Sequence, residues 1–368
     1  MKPKVVVGMS GGVDSSVAAY LLKEQGFDVI GLFMKNWEEA DSEFCPSQLD
    51  YEDVIRVSHQ IGIPCFTVNF VKEYREHVFD FFLKELKEGY TPNPDILCNR
   101  EIKFKVLLEK AKELGASFLA TGHYCQTEDG KLLKGNDPGK DQSYFLYTIN
   151  KDILKEVLFP IGHLNKSQVR EIAKQIGLAT SEKKDSTGIC FIGERNFKPF
   201  LAQFLGFTPG NFETLEGKIV GRHDGIAYYT LGQRKGLGIG GEGEAWFVSR
   251  KNPLRNVVTV VQGAEHPDLY CDILTADELS WVNLEPPTLP CRCEAKIRYR
   301  QTDQPCIIER IEEGRVFVRF LTPQRAATPR QSIVFYQGNI CLGGGMIHSP
   351  GPSHYEQGLI SNSQTDAI

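Results

Sequence analysis

The first residues that could do chemistry form a turn of small residues at the start of the chain. An apolar strand pattern ends at Val7, residues 8–16 then supply glycines, serines and Asp14, and an apolar helix pattern begins at Val17. The backbone amides of such a turn, with the N-terminus of the helix that follows, bind phosphate groups. The turn lacks the Gly-Lys-Ser/Thr ending of the loop that holds intact β- and γ-phosphates. We therefore predict an anion-binding loop that serves a different reaction.

The order Ser-Gly-Gly-x-Asp-Ser at residues 10–15 resembles the PP-loop of the ATP pyrophosphatases, which cleave ATP between its α- and β-phosphates to form an adenylate. The resemblance implies ATP as a substrate. Mg²⁺ is expected beside it, with Asp14 as a candidate direct or water-mediated contact. An ordinary strand-to-helix turn is the alternative, but this strand–turn–helix context is the one that such a motif requires.

A second candidate group surrounds Cys98. Residues 93–98 read Asn-Pro-Asp-Ile-Leu-Cys, and a helix pattern is predicted from about Glu101. A thiol at a helix N-terminus feels the positive end of the helix dipole, which favours the thiolate. We therefore expect Cys98 to lie just before this helix and to be reactive.

Cys190 lies in a hydroxyl-rich stretch, residues 185–193, that follows Lys183 and Lys184. Most other cysteines are interpreted as small buried hydrophobic residues, namely Cys45, Cys65, Cys125, Cys271, Cys306 and Cys341. Cys291 and Cys293 are too close together for a zinc site. The sequence contains no Cys-x-x-Cys pair, so neither a zinc ribbon nor an iron–sulfur cluster is expected, and no resident metal site is predicted.

Composition limits the class of protein. A chain of 368 residues suggests two or three domains, and 41% hydrophobic with 24% charged residues is typical of a soluble globular protein. No apolar run approaches the roughly 20 residues that span a bilayer, and no signal-peptide pattern is present, so we expect a cytoplasmic protein without a membrane partner. Ten cysteines at irregular spacing in a long chain argue against a disulfide scaffold.

The charge is unevenly distributed. The whole chain has a net charge of -5, yet residues 291–330 contain nine Lys and Arg against five Asp and Glu. A basic segment on an acidic protein fits a nucleic-acid backbone. A solvated β-surface with alternating charges fits the same segment equally well.

The elements that must position these residues change character along the chain. Strand patterns alternate with amphipathic helix patterns in the first half, which predicts an α/β, doubly wound, Rossmann-like parallel sheet with ligands beyond the carboxyl ends of its strands. Short β-like runs begin near Gly206, and polar–apolar alternation after Pro290 predicts a small antiparallel β-barrel. We predict an ATP-binding catalytic domain at 1–200, a β-rich central domain at 201–275, the barrel at 276–348 and a disordered tail at 349–368.

Several short sequence motifs occur along the chain in the order that one known protein family shows. They are residues 8–15, 33–37, 93–98, 121–124, 140–146, 185–190, 229–236 and 298–301. Together they resemble the bacterial-type tRNA-specific 2-thiouridylases, over about residues 1–347. The PP-loop is shared with many adenylating enzymes, whereas the two-cysteine arrangement and the string Lys-Asp-Gln-Ser-Tyr-Phe-Leu at 140–146 are much more specific.

The resemblance implies a reaction on the wobble uridine of tRNA, whose C2 oxygen is adenylated before sulfur replaces it. Its ATP-site residues are Gly8, Met9, Ser10, Gly11, Gly12, Val13, Asp14, Ser15, Met34 and Gly122. It also implies a persulfide on Cys190, supplied by a persulfide-carrying donor protein. Cys98 is then the second catalytic thiol, which either resolves the disulfide or releases sulfide, and a transient Cys98–Cys190 disulfide follows.

The resemblance further implies contacts with the anticodon stem-loop of tRNA, with Asp95 touching the target base or moving a proton. The residues concerned are Asn93, Pro94, Asp95, His123, Lys140, Asp141, Gln142, Arg298, Tyr299 and Gln331. Two of them have a structural alternative. His123 could pack beside the nucleotide, and Arg298 could be a solvated charge on a strand.

Two other classes of protein are alternatives to this one. A different PP-loop enzyme is the first, but a 2-thiocytidine synthase would need clustered Cys-x-x-Cys ligands and an amide-forming ligase would not need Cys98 and Cys190. The second is an RNA-binding protein that uses the β-rich module alone. The intact PP-loop argues against it.

Overall fold

The computed structural model describes residues 2–38, 46–184 and 197–359. Its first half contains short strands and helices in alternation. They are β1 (Lys4–Met9), α1 (Val13–Glu24), β2 (Asp28–Lys35), α2 (Pro46–Ile61), β3 (Cys65–Asn69), α3 (Val71–Tyr74), α4 (Asp80–Lys87), α5 (Pro94–Leu97), α6 (Leu108–Glu113), β4 (Phe118–Ala120), β5 (Cys125–Glu128), β6 (Lys131–Lys134), α7 (Lys151–Leu154), β7 (Val157–Leu158) and α8 (Lys166–Gln175).

Five of these strands form one parallel sheet in the order β3-β2-β1-β4-β7. Successive residues of β1 face opposite sides, so Val6 packs into a core beneath the helices of residues 71–113, while Val5 and Val7 pack under α1, α2 and α8. Both faces are therefore covered, as the strand–helix alternation predicts, and the doubly wound sheet is confirmed.

The helix that carries Cys98 begins earlier than predicted. A π-helical stretch, Cys98–Leu107, joins α5 to α6, so the chain is helical from 94 to 113. Asn93 caps it by accepting a hydrogen bond from the Asp95 amide at 3.1 Å, and Pro94 occupies the first helical position. The expected start near Glu101 is wrong, and Cys98 lies one turn inside the helix, fully buried.

The second half is mostly β-structure. A small sheet in the order β10-β11-β8-β9 follows helix α9, and its core contains Phe212, Val248 and Val260. The elements are α9 (Phe197–Leu205), β8 (Gly210–Glu213), β9 (Ile219–His223), β10 (Trp246–Asn252) and β11 (Val257–Gln262). The β-rich central region that the sequence predicts is therefore present.

Six longer strands form a closed barrel. Each strand pairs antiparallel with its neighbours in the order β12-β15-β14-β13-β16-β17, and β17 pairs with β12 to close the ring. The strands are β12 (Tyr270–Trp281), β13 (Cys291–Lys296), β14 (Gln304–Glu312), β15 (Arg315–Arg325), β16 (Ser332–Gln337) and β17 (Ile340–Pro350). The predicted antiparallel barrel is confirmed. On its outer surface Arg310 and Arg319 pair with Glu309, as on a solvated β-surface with alternating charges.

The expected disordered tail needs correction over residues 349–359. Ser349 and Pro350 are the last residues of β17. The His354 ring lies 3.0 Å from the Asp272 carboxylate, and Glu356 lies 2.6 Å from Arg250, so this stretch is attached to the barrel and to the central sheet. Residues 360–368 lie outside the described part of the chain.

A hairpin connects the two halves of the molecule. Strands β5 and β6 pair with each other and, through Leu132 and Leu133, with the start of β17. The barrel sheet thus continues into a hairpin from the N-terminal half of the chain. Across residues 2–38, 46–184 and 197–359, every helix is too short or too polar to cross a membrane.

Candidate active site

The PP-loop lies at the carboxyl end of β1, the edge where ligands bind in doubly wound sheets. The Ser15 hydroxyl accepts a hydrogen bond from the Ser10 amide at 3.2 Å and lies 3.2 Å from the Ser10 hydroxyl, which closes the loop on itself. Gly12 occupies the N-cap of α1 and has no side chain with which to cap the first turn. The amides of that turn therefore face an incoming anion.

Two glycines allow this loop to pack closely. Gly11 has φ +74°, and a β-carbon there would lie 2.6 Å from the carbonyl oxygen of Asp50 in α2. A β-carbon on Gly122, in the loop after β4, would lie 2.7 Å from the Ser15 amide nitrogen. The structure thus brings Gly122 against the PP-loop backbone, although 107 residues separate Gly122 from Ser15 along the sequence.

The PP-loop carboxylate is held from two distant segments. The Lys166 ammonium, at the start of α8, lies 2.8 Å from each oxygen of Asp14. The Tyr124 hydroxyl donates to one of those oxygens at 2.7 Å. The Lys166 ammonium and the Tyr124 phenol together fix the position of the Asp14 carboxylate. They also place a cation beside the loop that is expected to meet the phosphates.

This arrangement does not provide a magnesium site built from protein side chains. Both oxygens of Asp14 contact Lys166, and a divalent cation would have to displace that ammonium. No cluster of three or more His, Cys, Asp or Glu that could hold a metal occurs among residues 2–38, 46–184 and 197–359. A direct contact between Asp14 and Mg²⁺ would therefore require Lys166 to move, and a water-mediated contact stays a prediction.

Met34 and Cys98 share one packed core. Met34 is near the end of β2 and Cys98 lies one turn inside the helix that Asn93 caps, and both belong to the same buried apolar cluster. Asp95 is half-buried one turn before Cys98. The structure therefore joins the β2 end of the sheet to the Asn93–Cys98 segment. Cys190 lies outside the described residues.

Several other cysteines behave as the sequence predicts. Burial raises the pKa of the Cys271 and Cys341 thiols to about 12 and the pKa of Cys125 well above its ordinary value. These thiols stay protonated at neutral pH and are poor nucleophiles. Cys306 is also buried, Cys65 is half-buried, and Cys45 lies outside the described residues.

His123 follows Gly122 and is buried. Its Nδ1 lies 2.7 Å from the Thr121 hydroxyl, and its Nε2 lies 3.5 Å from the Lys103 ammonium. Burial and the nearby Lys103 charge hold the pKa of His123 well below its ordinary value, so the ring is neutral. The position beside Gly122 fits the packing alternative for this residue. A contact with tRNA stays a prediction.

The segment at 140–142 lies between the parallel sheet and the barrel. The Asp141 carboxylate is buried, accepts hydrogen bonds from the Gly135 and Ser143 amides at 3.1 Å, and lies 3.3 Å from the buried Lys296 ammonium of β13. Gln142 exchanges hydrogen bonds with the Tyr124 backbone. Lys140 is half-buried. The side chain of Asp141 is thus committed to protein contacts.

The predicted barrel residues are also engaged at this junction. The Arg298 guanidinium donates to the Ala326 carbonyl at 3.0 Å and to the Thr328 hydroxyl, so it is more than a solvated strand charge. The Tyr299 ring stacks at a tilt on Phe145, with 4.4 Å between centroids. The Gln331 amide donates to the Thr91 carbonyl, which tethers the barrel two residues ahead of Asn93.

Three polar residues of these sites were not singled out by the sequence. Lys166 and Tyr124 bind Asp14, and Lys296 pairs with Asp141. Tyr124 belongs to the string Thr-Gly-His-Tyr, and Lys166 directly follows Asn165 of the predicted capping box, which the structure confirms. These local signals exist, but neither shows that the side chains converge on the PP-loop.

Three family models match consecutive parts of the chain. They are described as a tRNA methyl transferase HUP domain over residues 3–194, a tRNA methyl transferase PRC-barrel domain over 198–262 and an aminomethyltransferase β-barrel domain over 271–347. Their order matches the parallel sheet, the small central sheet and the closed barrel described above.

Full-length relatives are named for a different chemistry. The tRNA-specific 2-thiouridylase MnmA of Protochlamydia amoebophila is 65% identical over 359 residues, which is 96% of this chain and 95% of that protein. The protein of the same name from Exiguobacterium sibiricum is 57% identical over 93% of each chain. A solved U34-tRNA thiolase NcsA from Methanococcus maripaludis, with its [4Fe-4S] cluster, is 19% identical, covers 53% of this chain and 60% of its own, and has a TM-score of 0.36. Because these identities of 65% and 57% extend over more than nine-tenths of the chain, this chain belongs to the tRNA-specific 2-thiouridylase family.

Proposed function

We propose that this protein is a tRNA-uridine 2-sulfurtransferase that uses ATP to convert the wobble uridine of tRNA to 2-thiouridine, releasing AMP and pyrophosphate. The observation that carries the proposal is a buried, capped Asn-Pro-Asp-x-x-Cys helix that shares one core with Met34 of β2, beside a PP-loop at the end of the neighbouring strand β1, in a chain 65% identical to a 2-thiouridylase. The family's use of ATP gives the first half of the reaction.

In the ATP half, the C2 oxygen of the uridine attacks the α-phosphorus and pyrophosphate leaves. The leaving group gains negative charge, which the uncapped amides of α1 and the hydroxyls of Ser10 and Ser15 are placed to stabilise. Lys166, already at the loop, supplies a positive charge beside the same anion. Met34 and Gly122 are the proposed contacts to the rest of the nucleotide. Mg²⁺ is proposed to arrive bound to the ATP phosphates, because the protein offers no carboxylate cluster for it among the described residues.

In the sulfur half, a persulfide on Cys190 supplies the new atom. Its terminal sulfur attacks C2 of the adenylated base and AMP leaves. Cys98 as thiolate then attacks the Cys190 sulfur, which forms the Cys98–Cys190 disulfide and frees the thiolated base. Release of sulfide by Cys98 before the attack on C2 remains the alternative order. Either route ends in a disulfide that a cellular reductant must open.

The substrate is proposed to be the anticodon stem-loop of tRNA, whose loop bases leave their stack at low cost. Asp95 and its neighbours Asn93 and Pro94 are the proposed contacts to the target base. Further contacts with the RNA around the target base are proposed for His123, Lys140–Gln142, Arg298, Tyr299 and Gln331. Where the side chain of one of these residues is already bonded within the protein, the proposed contact is through its backbone. Because its substrates are ATP and tRNA, we place the protein in the cytoplasm, where a persulfide-carrying protein would deliver the sulfur.

Incubation with ATP, a sulfur donor and unmodified tRNA, followed by mass spectrometry of the nucleosides, tests the proposal. We expect 2-thiouridine with wild-type protein and none with Cys98→Ala or Cys190→Ala. Cys65→Ala and Cys291→Ala serve as matched controls, because these two thiols are half-buried and far from the PP-loop motifs in sequence.

The same assay separates thiolation from methyl transfer, the chemistry named by the family models. Replacement of oxygen by sulfur and addition of a methyl group give different nucleoside masses. A methylated uridine, or the absence of 2-thiouridine from wild-type protein, would overturn the proposal. Full activity of both cysteine variants would overturn the persulfide mechanism and leave the ATP half standing.

A further inference from the structure

The loop between β15 and β16 contacts the part of the chain that leads into α5. Its last two residues are Arg330 and Gln331, directly before β16 begins. The Arg330 Nε lies 3.0 Å from the carboxylate of Glu85, a buried residue of α4. The Gln331 amide donates to the Thr91 carbonyl. Two consecutive barrel residues therefore hold α4 and the chain that connects it to α5.

Arg330 has an unusual backbone conformation for an arginine. Its φ is +69°, in the left-handed region that glycine adopts without strain. Its amide donates to the Ile347 carbonyl at 2.9 Å, and its guanidinium carbon lies 5.4 Å from the centre of the Tyr90 ring. Strained residues persist where surrounding contacts offset the strain, and they concentrate at functional sites. An arginine at a position that suits glycine indicates that its side chain has a role.

Little space separates the barrel from the start of the Cys98 helix. The cavity between them has a volume of about 20 Å³, which is room for about one water molecule. Asn93 and Ile96 line it from the helix, and Arg330 and Ser332 line it from the barrel. Closely packed interiors transmit strain from one element to the next. A shift of the barrel loop would therefore be passed on to this helix.

The barrel also holds the Cys98 helix further along. The Asn99 side-chain amide donates to the Phe145 carbonyl at 3.2 Å. The chain around Phe145 is bound to Ser332, whose carbonyl accepts from the Tyr144 hydroxyl at 2.8 Å and whose hydroxyl lies 3.1 Å from the Tyr147 hydroxyl. The helix is thus connected at two points to the same three consecutive residues of the barrel.

The ion pair is the charged part of this connection. The Glu85 side chain is 5% exposed and the Arg330 side chain 26%, so water screens the pair far less than a surface pair. Glu278 of β12 lies 3.6 Å from the same guanidinium, which orients the arginine from the barrel side. Removing the guanidinium would take from Glu85 the cation that the structure pairs with it.

We propose that Arg330 is a positioning residue for thiolation. Through Glu85 and the chain that follows it, Arg330 holds the Asn93–Cys98 segment in the geometry that the reaction needs. It acts through these contacts and not on the reacting atoms. The proposal rests on the proposed function, which assigns Asp95 to the target base and Cys98 to sulfur transfer.

Steady-state thiolation by Arg330→Met tests the proposal. At saturating ATP and tRNA we expect kcat to fall about 10- to 100-fold, because a misplacement of about 1 Å at a reacting group can cost about 10² in rate. The KM for ATP should stay unchanged. Arg330→Lys keeps a positive charge near Glu85 and should recover most of the lost kcat. Arg319→Met is the matched control and should behave as wild type, because its ion pair with Glu309 lies on the outer surface of the barrel.

A stability measurement separates positioning from a general loss of stability. Arg330→Met should lower the urea midpoint of unfolding, since it leaves a buried carboxylate without its partner. Adding Glu85→Met should recover much of the midpoint, because no buried charge then remains, while kcat stays low because the connection is still missing. Recovery of kcat together with the midpoint would overturn the proposal. Should Arg330→Met fail to fold, this double variant and Arg330→Lys carry the kinetic test.

Two further results would overturn the positioning role. One is a wild-type kcat in Arg330→Met. The other is a raised KM for tRNA with kcat unchanged, which would make Arg330 an RNA contact. Both are separate from failure of the proposed function, in which wild-type protein itself makes no 2-thiouridine and the assignment of Arg330 fails with it.

Discussion

The PP-loop leaves the first amides of α1 uncapped and Ser10 exposed, whereas the equally recognisable segment at 140–145 directs its polar groups into the barrel. At the PP-loop, Lys166 and Tyr124, which are distant in sequence, bind the Asp14 carboxylate. At the 140–145 segment, Asp141 pairs with Lys296 and Phe145 packs on Tyr299. Two strings that both mark the family in the sequence therefore have different physical roles, and the more specific of the two is the one that packs against the barrel. One is prepared for a ligand, and the other joins two parts of the protein.

The largest expected effect comes from removing the PP-loop cation. Lys166→Met leaves Asp14 with the Tyr124 hydroxyl and takes a positive charge from beside the proposed leaving group. Loss of one such transition-state contact costs about 10²–10³ in kcat. ATP-dependent thiolation under saturating ATP measures it. Lys174→Met, on the same helix and paired with an exposed Glu182, is the matched control. Equal activity of the two variants would contradict a role for Lys166 at the PP-loop.

Gly122→Ala should distort the PP-loop from outside. The added methyl would meet the backbone of Asp14 and Ser15 at less than 3 Å, and backbone cannot move aside as a flexible side chain can. We expect the KM for ATP to rise about tenfold, since overpacking of this kind costs about 1–3 kcal/mol. Gly240→Ala, where a β-carbon meets nothing, should leave the KM unchanged. A normal KM in Gly122→Ala would show that the loop tolerates a shift.

Asp141→Asn should lower the stability of the contact between the 140–145 segment and the barrel and leave the proposed ATP site unchanged. Within the part of the chain that the structure describes, it leaves the buried Lys296 with Asp303, at 3.8 Å, as its one carboxylate partner. Breaking a buried pair costs about 3–5 kcal/mol, which urea unfolding of the whole chain would detect. Adding Lys296→Met should recover much of that loss because no buried charge then remains. If Asp141→Asn weakens tRNA binding at unchanged stability, the segment contacts RNA and the contrast drawn above fails.

The smallest effect concerns Lys251, near the end of β10, whose amine donates to the Tyr229 carbonyl at 2.7 Å. Burial lowers its pKa to about 7, so the reactive neutral amine increases as pH rises through 7 and is almost complete by pH 9. An ordinary lysine, with a pKa near 10.4, is still mostly charged at pH 9. Trace acetylation followed by peptide mass spectrometry should therefore show half-maximal labelling of Lys251 near pH 7. Labelling that keeps rising beyond pH 9 would contradict the buried, neutral amine.

Much of the fold follows from the sequence because its signals are local. Strand–helix alternation predicts the parallel sheet, and polar–apolar alternation after Pro290 predicts the barrel. The predicted start of the Cys98 helix near Glu101 is wrong because Asn93 and Pro94 supply the capping signal and begin the helix at Pro94. The ordered stretch at 349–359 was missed because its partners, Asp272 and Arg250, are about 80–100 residues away in sequence.

The residues of the candidate active site also differ in whether the sequence alone can identify them. The PP-loop glycines and serines are contiguous, so the sequence identifies them together. Lys166 is 152 residues from Asp14, and only the sheet topology brings the end of β1 to the start of α8. A single sequence does not reveal such a pair. Cys190, the proposed persulfide carrier, lies outside the described residues, so its distance from Cys98 stays a prediction.

The β5–β6 hairpin has one more consequence. Leu132 and Leu133 continue the barrel sheet, and the same stretch of chain leads from Gly122 to Asp141. The hairpin therefore sets the distance between the proposed nucleotide site and the barrel. An RNA that touches the barrel would then present its loop at one set depth. Substrate choice would depend on the length of the stem as well as on the bases of the loop, and lengthening that stem by one base pair should move the target uridine out of register with Cys98.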